Sequence, residues 1–180
     1  MKRISFCVLV LIVFTASNAL TAWGQKVSVD FDKEANFAAY KTYSWTTGTP
    51  TQNPLMDQRV TDGVDKRLAA KGLQKVDAGA NPDLVVLYHA AVGTETQLNT
   101  MNTGGYRWGY RWGGMGTSTT TVEKIPVGQL TVDIGDAKTK KLLWLGNAAD
   151  TLSDKPEKNE KKINKALDKM FKKFPPPVKK

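Results

Sequence analysis

The chain has 180 residues, 41% hydrophobic, 24% charged and 9% aromatic, a balance that excludes disorder throughout, a collagen-like repeat and a polytopic membrane protein. Its formal net charge of +9 is unevenly placed: residues 155–180 hold ten lysines against Glu157, Glu160 and Asp168, residues 1–24 add Lys2 and Arg3, and residues 25–154 balance. The single cysteine, Cys7, lies near the N-terminus, so disulfides, thiolate catalysis and cysteine-held metals are excluded for the rest of the chain.

Residues 1–24 have the build of a secretory signal peptide: Lys2 and Arg3, an unbroken apolar run from Phe6 to Phe14, then small residues with a cleavage site after Ala22 or Gly24. The run is too short to span a bilayer. Cys7 sits inside it behind Phe6, whereas a lipidated cysteine follows a small residue at the end of such a run. The expected product is therefore exported, periplasmic or secreted, without a lipid anchor, and not an integral membrane protein once cleaved.

Within the remaining chain, Val27, Val29 and Phe31 alternate with polar residues as a half-buried strand does. Residues 40–45 form a second, aromatic-rich strand, and residues 46–53 a polar loop. Asn53 as cap, Pro54 at the first helical position and Gly72 as stop bound a helix whose buried stripe is Met56, Val60, Val64 and Leu68. A short strand is predicted over 73–76. The run 84–92 is apolar on both faces and reads as a central strand. Residues 93–120 then hold seven glycines and seven threonines, and repeat Tyr106-Arg107-Trp108-Gly109 as Tyr110-Arg111-Trp112-Gly113. A loop of that length is uncommon in a compact domain, and its flanks are expected to continue as strands, with the repeat at a hairpin tip. Residues 128–134 alternate Leu130, Val132 and Ile134 inward, Asp136 shapes a turn, and the chain returns from Lys141. Ser153 or Asp154 is expected to cap a last helix with Pro156 in its first turn. Ile163, Ala166, Leu167, Met170, Phe171 and Phe174 make its apolar face, and Pro175-Pro176-Pro177 ends it. Strands segregated from two helices predict an α+β two-layer sandwich, a mostly antiparallel sheet with both helices on one face. One domain over 25–177 follows, with a short tail at 178–180.

The segments VSVDFDKEANFAAYKTYSW (27–45), NPDLVVLYHAA (81–91), GQLTVDIGDAKTKKLLWLGNA (128–148) and the lysine-rich helix before FPPP resemble the bacterial family catalogued as domain of unknown function 4136. The resemblance implies a cell-envelope protein with no catalytic residue set attached to it. Members are often lipoproteins, and the missing lipobox cysteine sets this chain apart from them.

No residue set forms a known active site, and no metal or other cofactor is expected. His89, the sole histidine, shares a strand face with Val85, Leu87 and Ala91, which fits a sheet residue better than a general base lacking a positioned partner. Asp30 and Asp32 point the same way, but two carboxylates fall far short of a calcium shell. Asp133 and Asp136 resemble a metal pair only superficially. The Tyr106, Arg107, Trp108, Tyr110, Arg111 and Trp112 cluster is the candidate binding surface, because alternating aromatic rings and guanidinium groups supply stacking and anion contacts. The other reading of these six is a self-packed loop. Three functions follow: a non-enzymatic envelope domain binding a protein, glycan or lipid through this loop; a hydrolase or metal enzyme using His89 with Asp30, Asp32 or Asp133; and a structural protein docking its lysine-rich helix on anionic lipid. An exported chain has no expected nucleic-acid partner.

Overall fold

A computed structural model describes residues 25–103 and 117–177, which form six strands and two helices in an α+β arrangement. The strands are β1 (Lys26–Phe31), β2 (Thr42–Trp45), β3 (Gln74–Lys75), β4 (Leu84–Thr103), β5 (Thr117–Asp136) and β6 (Leu142–Thr151); the helices are α1 (Pro54–Ala70) and α2 (Pro156–Phe171). The sheet order is β1-β6-β5-β4-β2-β3. All pairings are antiparallel except those of β2, which runs parallel to both β3 and β4. This parallel corner exists because α1 intervenes between β2 and β3 and returns the chain to its starting end, as a crossover connection requires.

Period-two alternation decides which face is covered. Leu84, Val86 and Tyr88 of β4 stand opposite Asp136, Ile134 and Val132 of β5, and the inward residues of both strands are buried beneath the helices. Trp144 of β6 is fully buried between Phe171 and Phe174, whose rings lie 5.3 and 5.4 Å from its own. Val60, Val64 and Leu68 of α1 and Ala166, Leu167 and Met170 of α2 close the same core, so both helices lie on one sheet face.

The helices are parallel neighbours. Arg59 pairs with Glu160 at 3.2 Å, and one helical turn or two further on Arg67 donates to Asp168 at 2.8 Å and to the Asn164 carbonyl. Both N-termini consequently lie at one end. Helix α1 begins and ends as its sequence specifies: the Asn53 side chain accepts from the Leu55 N–H at 3.0 Å, and Gly72 adopts φ +85°. Helix α2 corrects the expectation of a Ser153 or Asp154 cap. Its N-cap is Lys155, with no side-chain cap bond. The Asn159 side chain instead folds back onto both the N–H and the carbonyl of Ser153, at 2.8 and 2.7 Å, because Pro156 at the first helical position leaves one donor fewer to cap.

Residues 46–50 extend β2 along β4: Thr46 N–H donates to the Val86 carbonyl, Thr49 N–H to Tyr88, and Ala90 N–H to Thr49. Gly48 makes this possible, since a Cβ there would sit 2.0 Å from the Tyr88 carbonyl oxygen. The turn between β5 and β6 behaves as expected, with the Asp136 carboxylate accepting from the N–H groups of Lys138 and Thr139.

Candidate functional site

Strands β4 and β5 outrun the sheet. Strand β6 stops pairing at Val127, and on the other side the 46–50 extension stops at Ala90. Beyond the Leu152 N–H bond to the Pro126 carbonyl, the nine pairs from Glu95↔Ile125 to Thr103↔Thr117 have no further strand beside them among the described residues, a two-stranded ribbon of roughly 30 Å at the usual rise. Its flanks are thus strands, as expected from the sequence. On the helix-side face, Leu98 and Val122 are cross-strand partners 65% and 58% exposed, and Thr100 and Thr120 share a hydroxyl hydrogen bond. The ribbon ends at Thr103 and Thr117, which residues 104–116 join. Tyr106, Arg107, Trp108, Tyr110, Arg111 and Trp112 all lie in that joining segment, outside the described residues.

His89 lies on the uncovered sheet face. Its Nδ1 is 2.8 Å from Thr49 Oγ1 and its Nε2 is 3.9 Å from Asp133 Oδ2. Burial raises the Asp133 carboxyl above the ordinary carboxylate range, against the opposing pull of His89, and Asp133 Oδ1 has no hydrogen-bond partner among the described residues. The other carboxylates do not converge on this pair. Asp30 accepts from the Phe31 N–H, and Asp32 is held by Lys141 at 2.6 Å. Asp30 stands opposite Leu145, which stands opposite Asp133, so two strand spacings of roughly 4.8 Å each separate the aspartates. Among the described residues, no group of three or more His, Cys, Asp or Glu side chains is placed to hold a metal ion.

A third feature was not visible in the sequence. A cleft of about 600 Å³ opens between the N-terminal halves of both helices and the sheet, at the end from which the ribbon leaves. Its walls are mainly apolar, with Met56, Val60, Leu130 and Ile163 among them, and Asn159 and Lys162 line one side. Lys162 donates to the Thr151 carbonyl and hydroxyl at 2.6 and 2.9 Å and pairs with Asp150 at 3.3 Å. The signal that could have revealed the cleft is a set of small residues, Ala90, Ala148 and Ala166, which meaningfully face one another only once the strand order is known.

The remaining lysines of α2 lie on its solvent face, while Ala166, Leu167, Met170 and Phe171 are buried, as the helical spacing implied. No described helix is long and apolar enough to cross a membrane.

A family model described as domain of unknown function, DUF4136, matches residues 27–176. The chain belongs to the DUF4136 family. Among curated proteins, none matches this DUF4136 sequence. Among solved structures, a PDZ domain protein from Parabacteroides distasonis is similar with a TM-score of 0.56 at 15% identity, over 85% of this chain. The DUF4136 chain spans 36% of that protein's length, so the likeness is one of fold. A PelC dodecamer from Paraburkholderia phytofirmans aligns at 17% identity and a TM-score of 0.46, over 82% of this chain and 98% of that one.

Proposed function

We propose that this DUF4136 chain is an exported, non-enzymatic cell-envelope domain, periplasmic or secreted without a lipid anchor, that binds a protein, glycan or lipid partner through the far end of its β4–β5 ribbon. The observation that carries this reading is the ribbon itself. Nine strand pairs stand beyond the sheet with no third strand and no covering layer among the described residues. A two-stranded ribbon contributes little stability by itself, so its length serves something other than the core. Its far end is Thr103 and Thr117, the residues that segment 104–116 joins, and that segment carries two copies of Tyr-Arg-Trp-Gly. Tyr, Trp and Arg dominate the energetics of protein interfaces, and their planar groups also stack on sugars and sit at membrane surfaces.

The test is co-sedimentation of the purified chain with sacculi and, separately, with membrane vesicles, beside a variant lacking residues 104–116. Loop-dependent pelleting with one fraction supports the reading and identifies the ligand class. Equal pelleting of both proteins, or of neither, overturns it. The exposed lysines of α2 favour a second reading, docking on anionic lipid. In that case pelleting with vesicles survives the deletion and is abolished by salt, because exposed charges are screened within roughly a Debye length of 10 Å at 0.1 M.

A further inference from the structure

We propose that the cleft at the helix N-termini binds the acyl chain of a single-chain anionic amphiphile with a hydrogen-bond donor near its head group, a 3-hydroxy fatty acid being the simplest. This site is separate from the ribbon end and does not depend on how residues 104–116 act.

The cleft follows from the order of side-chain sizes between the layers. Towards the helix C-termini the space is filled by Leu68, Leu167, Met170 and Trp144, all fully buried. Towards the N-termini the facing positions are Ala90 and Ala148 on the sheet and Ala166 on α2, and the layers leave about 600 Å³ between them. That volume falls within the roughly 300–1,000 Å³ typical of pockets that enclose small ligands. Its apolar lining reaches Val92 and Gly128, at the root of the ribbon.

Two features specify the polar end. Gln25 lines the cleft; its amide N–H donates to the Lys162 carbonyl at 2.7 Å, which leaves Oε1 buried with no partner among the described residues. A buried acceptor without a donor is unfavourable, and a ligand hydroxyl or amide N–H would restore its bond. Near the mouth stand two exposed lysines together with the first-turn acids Asp57, whose carboxylate is taken up by Thr51 and Tyr88, and Glu157. Both helices present their N-termini there, the positive ends of their dipoles. Lys155 and Lys158 are exposed and stand one turn before the lining residues Asn159 and Lys162. Asp150, the one carboxylate along the lining, is already paired with Lys162. A carboxylate head at Lys155 and Lys158, a hydroxyl against Gln25 and an acyl chain over Ala90 and Ala148 satisfy all three demands.

Isothermal titration of the purified chain with 3-hydroxytetradecanoate, tetradecanoate and the methyl ester of the hydroxy acid, each below its micelle concentration, tests this. The expected result is one molecule per chain, with the hydroxy acid bound about three- to tenfold more tightly than the plain acid. Gln25→Leu should erase that preference. The double variant Lys155→Glu/Lys158→Glu should weaken both acids about three- to tenfold and leave the ester unchanged. Ala90→Phe, confirmed folded by circular dichroism, should abolish binding, and deleting residues 104–116 should leave it intact. Absence of saturable binding by either acid overturns the proposal, as does undiminished binding in folded Ala90→Phe. Should Ala90→Phe not fold, a hydroxy preference that persists in Gln25→Leu overturns it instead.

Discussion

Asp65, half-buried on α1, ties three elements together. Its Oδ1 accepts from both Tyr43 Oη and Trp45 Nε1 at 2.7 Å, and its Oδ2 pairs with Lys75 at 2.8 Å. Tyr43 is almost fully buried, and its hydroxyl pKa is raised by that burial and by the bond to Asp65. Asp65→Ala would strand both donors, and at about 1–3 kcal/mol for each unsatisfied group a loss of about 2–4 kcal/mol is expected in urea unfolding, with Asp65→Asn costing less. Two other aspartates should move stability in opposite directions with pH. Asp83 is held below the ordinary carboxylate range by the N–H groups of Lys41 and Thr42, so its contribution is present above the unfolded pKa and lost as pH falls through the folded one. Asp133 is raised by burial, so the fold favours its protonated form; that stability is present below the unfolded pKa and lost as pH rises through the folded one. At neutral pH, Asp83→Asn should lower Tm and Asp133→Asn should raise it. Both differences should shrink in melts taken below about pH 3, where free carboxylates are protonated.

Among the elements, the ribbon and the sheet that roots it should separate in amide exchange. Residues 84–90 and 128–136 have neighbouring strands on both sides and the helices above, whereas 95–103 and 117–125 have only each other among the described residues. Exchange in the ribbon is expected to be orders of magnitude faster than in the root, read by mass spectrometry of pepsin fragments; uniform protection along all twenty pairs would contradict this. The contrast also shows what the sequence carried. Elements with one buried face were legible: Val27, Val29 and Phe31, the Met56–Leu68 stripe, Leu130 to Ile134, and the Ile163–Phe174 face all pack where their periodicity put them. The ribbon was legible only as a break in pattern, because its threonine-rich, largely polar strands have nothing to bury. The parallel placement of β2 beside β4 left no local mark, since it depends on α1 carrying the chain back, and the α2 start was misplaced because Asn159, six residues on, does the work of a cap. At the candidate sites, the pairing of His89 with Asp133 and Thr49, and the cleft itself, arise from cross-strand neighbours that spacing along the chain does not encode.

At the scale of the whole molecule, burial is concentrated in one layer interface and the longest strands lie largely outside it. Trp144, fully buried between Phe171, Phe174 and the sheet, belongs to the first category, and its replacement by alanine should cost about 3–5 kcal/mol. The ribbon belongs to the second. Of its described side chains, Leu98 and Val122 are exposed, and none is part of the core cluster. Replacing residues 94–126 by Asn-Gly, so that Gly93 and Val127 flank a two-residue hairpin turn, removes ten strand pairs at once. Such a deletion would ordinarily unfold a domain of this size if those pairs supported the core. Here the change in unfolding free energy should stay below about 1 kcal/mol, because an isolated ribbon is at best marginally stable and none of its described residues belongs to the core cluster. The same variant should lose whatever envelope fraction the intact chain pellets with. A stable fold that no longer pellets would assign the ribbon to partner contact; a collapse in Tm would instead make it part of the folding unit, and its length would then need no partner to account for it.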